Sequence, residues 1–242
     1  MCDVVVELKP EVVSFHFGSP DGLLVRRLKE SGCKIFGSAT TVAEARWLED
    51  HGADAVIAQG AEAGGHRGTF LATETASQAG TLALLPQVVD AVKVPVIAAG
   101  GIADGRGIAA AMALGASAAQ LGTAYLLCPE ARISAQYRAA LKAARDDSTA
   151  ITNVLTGRPA RVIVNRVVRQ IGLIAGEVPA FPLPNTALAA LREKAEEQGS
   201  TDFSALYAGQ AAPLGRELSA KEFTQTLAVE ALERFRILAG LT

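Results

Sequence analysis

Five short apolar runs in the first half of the chain constrain its fold more than any other feature. They do not alternate apolar with polar residues, as a strand with one solvent-exposed face would. Unbroken runs of this kind are typical of parallel strands that are covered on both faces. We therefore predict five strands of a parallel sheet. The runs are Val12–Phe17, Lys34–Ser38, Asp54–Gln59, Val94–Gly100 and Ala116–Tyr125.

Helical patterns lie between these runs. Thr41 and Glu44 have the spacing of a capping box, in which each side chain satisfies a free backbone donor at a helix start. Gly32, Gly52 and Gly115 each stand between a helical pattern and the next strand. The chain is thus a βα repeat, and right-handed crossovers leave either a closed barrel or an open doubly wound sheet. Periodicity alone does not choose between them.

The strand rhythm stops near residue 126, and helical patterns take its place. Asn185 is a suitable N-cap for the second of these helices, and Ser219 with Glu222 has capping-box spacing for the third. Closely spaced prolines predict an extended connection over Val178–Pro184. The predicted helices are 130–145, 185–198 and 219–239.

Two domains follow from this change of pattern. Residues 1–128 are predicted to form a partial β/α barrel that carries the phosphate and active-site loops. Residues 129–242 are predicted to form a smaller, mainly helical domain.

Composition argues against several function classes. The 23 basic and 25 acidic residues are scattered without a basic run, so nucleic acid is not an expected partner. The uncharged stretch Ile108–Leu127 has about the length of a membrane span, but its glycines favour a buried helix followed by a buried strand. The three cysteines form neither a metal-site spacing nor a disulfide framework. Because the N-terminus also lacks the features of an export signal, we expect a cytoplasmic protein without membrane association or bound metal.

Two consecutive strand ends have the composition of a phosphate-binding site. Gly100 and Gly101 end one strand, and the backbone amides before the next helix can approach an anion closely. The next strand ends in Gln-Leu-Gly-Thr at 120–123, which offers further amides and a hydroxyl. Tight turns without a ligand are the alternative, but two such ends in succession favour phosphate. No G-x-G-x-x-G follows a strand, so a Rossmann dinucleotide site is not expected.

The most informative segment is 59–68, Gln-Gly-Ala-Glu-Ala-Gly-Gly-His-Arg-Gly. Its glycines allow the backbone to lie against a flat ligand, and His66 supplies a group that titrates near neutrality. A surface histidine without a role is the alternative, but the position at a strand's carboxyl end favours function. His16 lies at the end of another predicted strand and is evenly balanced between a role in the same site and a structural role. His51 lies in the last turn of a helix, where its charge complements the dipole, and is interpreted as structural.

Four motifs together resemble the nitronate monooxygenase family, formerly called 2-nitropropane dioxygenases. They are Ser-Phe-His-Phe-Gly at 14–18, Glu-Ala-Gly-Gly-His-Arg-Gly at 62–68, Ala-Ala-Gly-Gly-Ile at 98–102 and Gln-Leu-Gly-Thr at 120–123. The run at 62–68 is specific to this family and its close relatives, and the resemblance extends to Tyr-Ala-Gly-Gln at 207–210. It implies a TIM-type (β/α)8 barrel that binds FMN without a covalent link, together with a helical second domain.

The resemblance also implies residue roles. His66 would be the catalytic histidine, holding an anionic nitronate or taking an α-proton from a neutral nitroalkane. His16 and Tyr207 are assigned to the substrate side. The implied reaction is oxidation of an alkyl nitronate by FMN and O2 to a carbonyl compound and nitrite. The residues that match flavin-holding positions are Gln59, Gly60, Gly64, Gly65, Gly100, Gly101, Gln120, Gly122 and Thr123.

The sequence contains about five βα units, whereas a complete barrel has eight. The family's chains begin with three further units, so we expect an incomplete barrel here. Two alternatives to nitronate oxidation stay open. Relatives with similar motifs use FMN and NAD(P)H to reduce enoyl thioesters or quinones, and an incomplete chain could be an inactive relative. Assembly into a homo-oligomer is also left open.

Overall fold

The computed structural model describes residues 2–72 and 74–240, which form two compact units. The predicted domain boundary after residue 128 stays a prediction, because the units divide the chain after Gln120 and are not continuous segments. The first unit comprises Met1–Ala61, Gly68–Ala99 and Ala110–Gln120, and the second comprises Glu62–Arg67, Gly100–Ala109 and Leu121–Thr242.

Eight strands form two sheets in the described residues. The first sheet, in the first unit, has the order β1-β2-β3-β5-β6 with every neighbouring pair parallel. The second, in the second unit, has the order β4-β8-β7 and is antiparallel. The strands are β1 Val12–Phe15, β2 Lys34–Ala39, β3 Ala55–Gln59, β4 Gly65–His66, β5 Val96–Ala99, β6 Ala118–Gln120, β7 Thr149–Thr152 and β8 Ala160–Ile163.

Ten α-helices accompany these strands in the described residues. Two short 3-10 helices also occur, at Thr123–Leu127 and Ala212–Leu214. The α-helices are α1 Cys2–Leu8, α2 Gly22–Glu30, α3 Val42–Asp50, α4 Thr81–Ala91, α5 Gly105–Ala113, α6 Ala135–Lys142, α7 Arg166–Ile171, α8 Leu183–Ala187, α9 Ala189–Glu197 and α10 Ala220–Leu238.

The parallel sheet confirms the predicted α/β class, and the barrel is not closed in the described residues. Four of the five apolar runs contain one of its strands, and the run Lys34–Ser38 covers all of β2 except its last residue, Ala39. The last run was predicted too long, because β6 ends at Gln120 and the chain then turns into the 3-10 helix at Thr123–Leu127. Every residue of the central strand β3 is buried, whereas the outer strand β1 alternates exposed and half-buried positions. The core of this unit therefore lies around β3.

Helix α2 shows how a sequence pattern becomes packing in the first unit. Asp21 caps its start, because the carboxylate accepts hydrogen bonds from the backbone N–H groups of Leu23 and Leu24 at 3.0 Å each. Val25 and Leu28 then point inward from successive turns and pack with the start of β2 in one buried cluster.

The predicted capping box of α3 is only half formed. Thr41 accepts a hydrogen bond from the Glu44 backbone N–H at 3.1 Å, as predicted. The Glu44 carboxylate, however, accepts from the backbone and hydroxyl of Thr40, each at 2.7 Å, and from the segment 69–71. Glu44 is completely buried, and these backbone and hydroxyl donors replace the water that an ionised carboxylate would otherwise need. The side chain therefore anchors the segment that follows the glycine-rich run.

The second unit contains more than the predicted helices. Its antiparallel sheet was not predicted, since β7 and β8 are only four residues long. Helix α10 begins with the predicted capping box, in which Ser219 and Glu222 bond reciprocally. Asn185 is not an N-cap, because α8 begins two residues earlier. Pro184 occupies its first turn, where the missing N–H of proline is tolerated.

The uncharged stretch Ile108–Leu127 falls on α5, β6 and the 3-10 helix after it, in agreement with the predicted helix followed by a strand. Among the described residues, no helix is both long and apolar enough to cross a membrane.

Candidate functional site

Two residues of the first unit that were predicted to contact ligands meet around Gly68. Gln59, the last residue of β3, accepts a hydrogen bond through its side-chain oxygen from the Gly68 backbone N–H at 2.8 Å. A Cβ on Gly68 would lie 3.0 Å from both His16 Cε1 and Ser38 Cβ, so a side chain there would crowd both neighbours. Glycine therefore allows the glycine-rich run to pass close to His16 and Gln59.

His16 lies in a constrained turn at the carboxyl end of β1. The next residue, Phe17, has a φ of +72°, which is uncommon for a residue with a side chain, and Gly18 has a φ of +94°. The rings of His16 and Phe17 are tilted against each other with centroids 4.6 Å apart. His16 itself is exposed. Backbone strain of this kind concentrates at functional sites, so this turn is a candidate ligand contact.

Gly60 and Gln120 complete the predicted set in the first unit. The Gly60 N–H donates to the carbonyl of Ala99 at 2.9 Å, so this glycine extends the pairing of β3 with β5 by one residue. Gln120 ends β6 and is exposed. Both residues therefore lie at the carboxyl edge of the parallel sheet, which is the edge that carries active sites in β/α folds.

His66 is fixed in the second unit by a strand, a hydroxyl and two aromatic rings. It belongs to β4 and pairs with Ala160 of β8, so the predicted loop contains a short strand at this point. Its Nε2 atom is 2.9 Å from the Thr156 hydroxyl. The ring of Tyr207 lies 5.4 Å from the imidazole, and the ring of Phe181 lies 5.6 Å away in an edge-on arrangement. The result is a half-buried imidazole with a defined orientation.

Tyr207 is held in place by contacts that other residues make with its backbone. Tyr207 bridges to Val162 of β8, and the Tyr137 hydroxyl donates a hydrogen bond to the Tyr207 carbonyl. Burial raises the pKa of the Tyr207 hydroxyl, so this group stays protonated near neutral pH. A neutral phenol beside His66 can donate a hydrogen bond to an anionic substrate.

The predicted phosphate turns in the second unit have the backbone that close approach of an anion requires. Gly100 and Gly101 follow β5 with φ values of +111° and +70°, a conformation that other residues rarely adopt. A Cβ placed on Gly122 would have no atom within 4 Å, and the same holds for Gly65. The backbone at both positions therefore borders open space.

Gly64 and Thr123 bind this part of the second unit together. The Thr123 hydroxyl oxygen accepts a hydrogen bond from the Gly209 backbone N–H at 2.9 Å, which leaves its hydrogen to donate elsewhere. A Cβ on Gly64 would lie 2.5 Å from the Gly209 nitrogen, so only glycine fits at this position. Gly64 is therefore required for packing, whereas Gly65 and Gly122 have room beside them for a ligand.

These observations fit the binding of a phosphate group. Consecutive glycines with positive φ, glycines that border open space and a threonine hydroxyl are groups that bind phosphate oxygens. One neighbour is acidic, because the Glu62 side chain lies 3.4 Å from the position of a Cβ on Gly101. Burial lowers the pKa of the Arg161 guanidinium and the charge of Glu62 raises it, so these two charges interact within the second unit. Arg161 therefore offsets part of the negative charge near this turn.

Sequence reasoning missed Thr156 and Phe181, both of which contact His66. Thr156 is separated from His66 by 90 residues, and no local motif marks it. Phe181 lies in the proline-rich stretch that was interpreted only as a connection. An aromatic residue between closely spaced prolines was the available signal for a role there.

A family model and curated relatives match this chain under the same family name. A family model described as "Nitronate monooxygenase" matches residues 1–230. A nitronate monooxygenase of Pseudomonas aeruginosa is 46% identical over 228 residues, covering 94% of this chain and 65% of that protein. A probable nitronate monooxygenase of Staphylococcus saprophyticus is 43% identical over 235 residues, covering 96% of this chain and 66% of the relative. This chain thus spans about two thirds of the length of these curated relatives.

A solved structure agrees with these sequence matches. The nitroalkane oxidase from Streptomyces ansochromogenes superimposes with a TM-score of 0.92 at 43% identity. The match covers 98% of this chain and 68% of that one.

Proposed function

Because the chain belongs to the nitronate monooxygenase family, we propose that it takes part in FMN-dependent oxidation of alkyl nitronates by O2 to a carbonyl compound and nitrite. The observation that carries the proposal is the setting of His66, whose imidazole is held by Thr156 and flanked by Tyr207 and Phe181. A neutral or cationic imidazole beside a phenol suits an anionic substrate with a short apolar part. The proposed setting is the cytoplasm.

The role proposed for His66 follows from the chemistry of nitronates. A nitronate carries its negative charge on the nitro oxygens, so an N–H donor can hold it and stabilise charge that changes during reaction. With a neutral nitroalkane, the imidazole would instead accept the α-proton as a general base. The rings of Tyr207 and Phe181 limit water at the imidazole and strengthen these electrostatic interactions. His16 is proposed as a further contact on the substrate side.

The proposed cofactor contacts are residues whose backbone amides or side chains can bind FMN. Bound FMN would supply the electron transfer that couples nitronate oxidation to O2. Within the second unit, Gly100, Gly101, Gly122 and Thr123 would hold the phosphate through backbone amides and a hydroxyl, and Gly64 and Gly65 would line the flavin. Gln59, Gly60 and Gln120, which lie at strand ends of the first unit, are proposed as cofactor contacts on the family resemblance alone.

The test combines flavin binding with product analysis. The purified chain is titrated with FMN, and the visible spectrum and flavin fluorescence report binding. We then expect propyl nitronate and O2 to yield nitrite and propanal in equal amounts. Flavin bands without nitrite, together with rapid bleaching by NAD(P)H under anaerobic conditions, would point instead to a reductase. Absence of flavin binding would overturn the proposal for this chain.

A further inference from the structure

Helix α10 packs against the start of helix α5 at a distance that only glycine permits. A Cβ on Gly105, the first residue of α5, would lie 2.3 Å from Glu230 Cβ and 2.6 Å from the Ala231 backbone nitrogen. The Gly105 N–H donates a hydrogen bond to Glu230 Oε2 at 3.1 Å. The guanidinium of Arg216 donates to both oxygens of the same carboxylate. Glu230 is therefore fixed between the start of α5 and Arg216.

The next two N–H groups of α5 are also occupied by a carboxylate. Asp104 Oδ1 accepts from the backbone N–H of Arg106 at 2.9 Å and from that of Gly107 at 3.2 Å. Asp104 is buried, and its other oxygen accepts from the Arg106 guanidinium. A phosphate at this helix start would meet the carboxylates of Asp104 and Glu230 instead of free N–H groups. In the proposed function, the phosphate is therefore left to the backbone of two turns, 100–104 before α5 and 121–123 after β6.

Helix α10 also contacts the second of these turns. Phe223 is buried in one cluster with Ala103 of the first turn and with Ala124, which directly follows the second turn. The ring of Tyr125 packs edge-on against Phe223 with centroids 4.9 Å apart. The Tyr125 hydroxyl lies 2.7 Å from the hydroxyl of Thr224. One helix of the second unit therefore contacts both phosphate turns.

We propose that Glu230 is a positioning residue that, from helix α10, holds the two turns in the arrangement that binds the FMN phosphate. This inference rests on the proposed function for the identity of the ligand. Glu230 reaches the first turn through Gly105, while the apolar contacts of Phe223 hold the same helix to the second turn. Loss of the carboxylate should loosen the start of α5 and leave the apolar packing of α10 intact. Amides that are already ordered bind an anion more tightly than amides that must be ordered on binding, so a looser turn binds phosphate more weakly.

Three variants test this role. Glu230→Ala removes the carboxylate but keeps the Cβ that packs against Gly105, and alanine suits a helix interior. Glu230→Gln is the conservative variant, because its amide oxygen can still accept from the Gly105 N–H. Glu233→Ala is the matched control, since Glu233 lies on the next turn of α10 and lines the same cavity of about 290 Å³ as Glu230. Its carboxylate makes none of the hydrogen bonds that hold the start of α5.

Flavin affinities separate positioning from a general effect on stability. Riboflavin lacks the phosphate of FMN, so fluorescence titrations with both flavins isolate the contribution of the phosphate. We expect Glu230→Ala to weaken FMN binding about tenfold, the scale of one lost hydrogen bond to a charged group, and to leave riboflavin affinity within about twofold. Glu230→Gln should show a smaller loss that is again confined to FMN, and Glu233→Ala should match the wild type for both flavins. Thermal unfolding shows that each variant is folded, and Glu230→Gln decides the comparison if Glu230→Ala does not fold.

The FMN-free protein gives a second measurement. In ¹H–¹⁵N spectra, we expect Glu230→Ala to shift the backbone amide signals of Gly101 and Gly105, whereas Glu233→Ala leaves both in place. Equal losses of FMN and riboflavin affinity, or unchanged FMN affinity, would overturn the positioning role. If the wild type binds neither flavin, the proposed function fails, and an unchanged Gly101 signal in Glu230→Ala would then overturn this inference as well. If the flavins behave as expected but no nitrite forms, nitronate oxidation fails while the positioning role stands.

Discussion

The residue that bears most directly on chemistry is His66. Replacing it with asparagine keeps a polar side chain of similar size but removes the titrating group. We predict that His66→Asn leaves FMN affinity within about twofold and lowers nitrite formation by about two to four powers of ten, as loss of an acid–base group commonly does. Steady-state nitrite release, normalised to bound flavin, measures this. The control is His51→Asn, which alters an exposed histidine bonded to Trp47. Near-normal turnover in His66→Asn would reduce His66 to a scaffold residue.

Gly122 provides a test of the phosphate turn that does not depend on turnover. Its φ is −115°, and a Cβ would meet no atom within 4 Å, so alanine fits the folded chain without strain. If FMN occupies the space beside this backbone, the added methyl group collides with the cofactor. We predict that Gly122→Ala leaves unfolding of the FMN-free chain unchanged and weakens FMN binding at least about tenfold, the equivalent of about 1.4 kcal/mol.

Fluorescence titration with FMN measures the affinity of this variant. Gly176→Ala is the matched control, since a Cβ at Gly176 also meets no atom within 4 Å and this glycine is not among the proposed flavin contacts. Equal FMN affinity in both variants and the wild type would remove Gly122 from the proposed site.

At this scale, backbone chemistry was predictable from the sequence and long-range partners were not. Gly100 and Gly101 were predicted to end a strand where backbone can approach a ligand closely, and the structure has both directly after β5 with positive φ, which glycine adopts at little cost. Thr156 and Phe181 contact His66 only because the chain returns over a long separation. No local sequence pattern indicates which distant residues come together, so these contacts are visible only in the folded structure.

At the scale of elements, Glu44 connects helix α3 to the segment after the glycine-rich run. Burial opposes its ionisation, but hydrogen bonds from the Phe70 N–H, from Thr40 and from the Leu71 N–H hold the pKa of this carboxyl below its usual value. In Glu44→Gln, the amide nitrogen would face N–H groups that now donate to a carboxylate oxygen. We predict a loss of about 2 kcal/mol in the free energy of unfolding, typical of a buried polar group left unsatisfied.

Denaturant unfolding at pH 7 measures this loss. The control is Glu222→Gln, which changes an exposed carboxylate at the start of α10. An equal effect of both substitutions would mean that burial of Glu44 is not the cause.

The lowered pKa of Glu44 also predicts a pH dependence. A carboxyl whose pKa is lower in the folded state contributes stability that is fully present above its unfolded value of 4.5. That contribution is lost as the pH falls through the folded pKa. We therefore predict that the wild type loses stability more steeply than Glu44→Gln below about pH 4.5, so that the two unfolding curves converge in acid. A constant difference between them down to pH 3 would contradict this.

The elements themselves were predicted unevenly, for physical reasons. Strands β1, β2, β3, β5 and β6 were found because parallel strands with helices between them need unbroken apolar runs. The short strands β7 and β8 carry Thr149, Thr152 and Arg161, and such mixed sequences are indistinguishable from loops. The helix predicted from Asn185 starts two residues earlier, because Pro184 fits the first turn and the preceding chain sets its entry.

At the scale of the whole molecule, the class of fold was predictable from the sequence, whereas closure of the barrel was not. The βα rhythm was compatible with a closed barrel or an open sheet, and only the strand order decides between them. In the described residues, that order ends in β1 on one side and β6 on the other, each paired with a single neighbour. Outer strands of a parallel sheet present unpaired backbone groups that can pair with another chain.

The outer position of β1 therefore predicts that the purified chain associates with itself. Val12 lies on this outer strand with 42% of its surface exposed, and its partner in β2 is Lys34. We predict that Val12→Glu reduces concentration-dependent self-association, since a charge on an edge strand disfavours pairing with a second edge, while the new carboxylate faces Lys34 favourably. Sedimentation velocity over a range of protein concentrations measures association. Leu23→Glu is the matched control. Leu23 is 65% exposed on α2, so this substitution removes similar apolar surface without changing a strand edge.

An equal reduction of self-association in both variants would assign the association to exposed apolar surface. A wild type that stays monomeric at all concentrations would show that the β1 edge is not an interface.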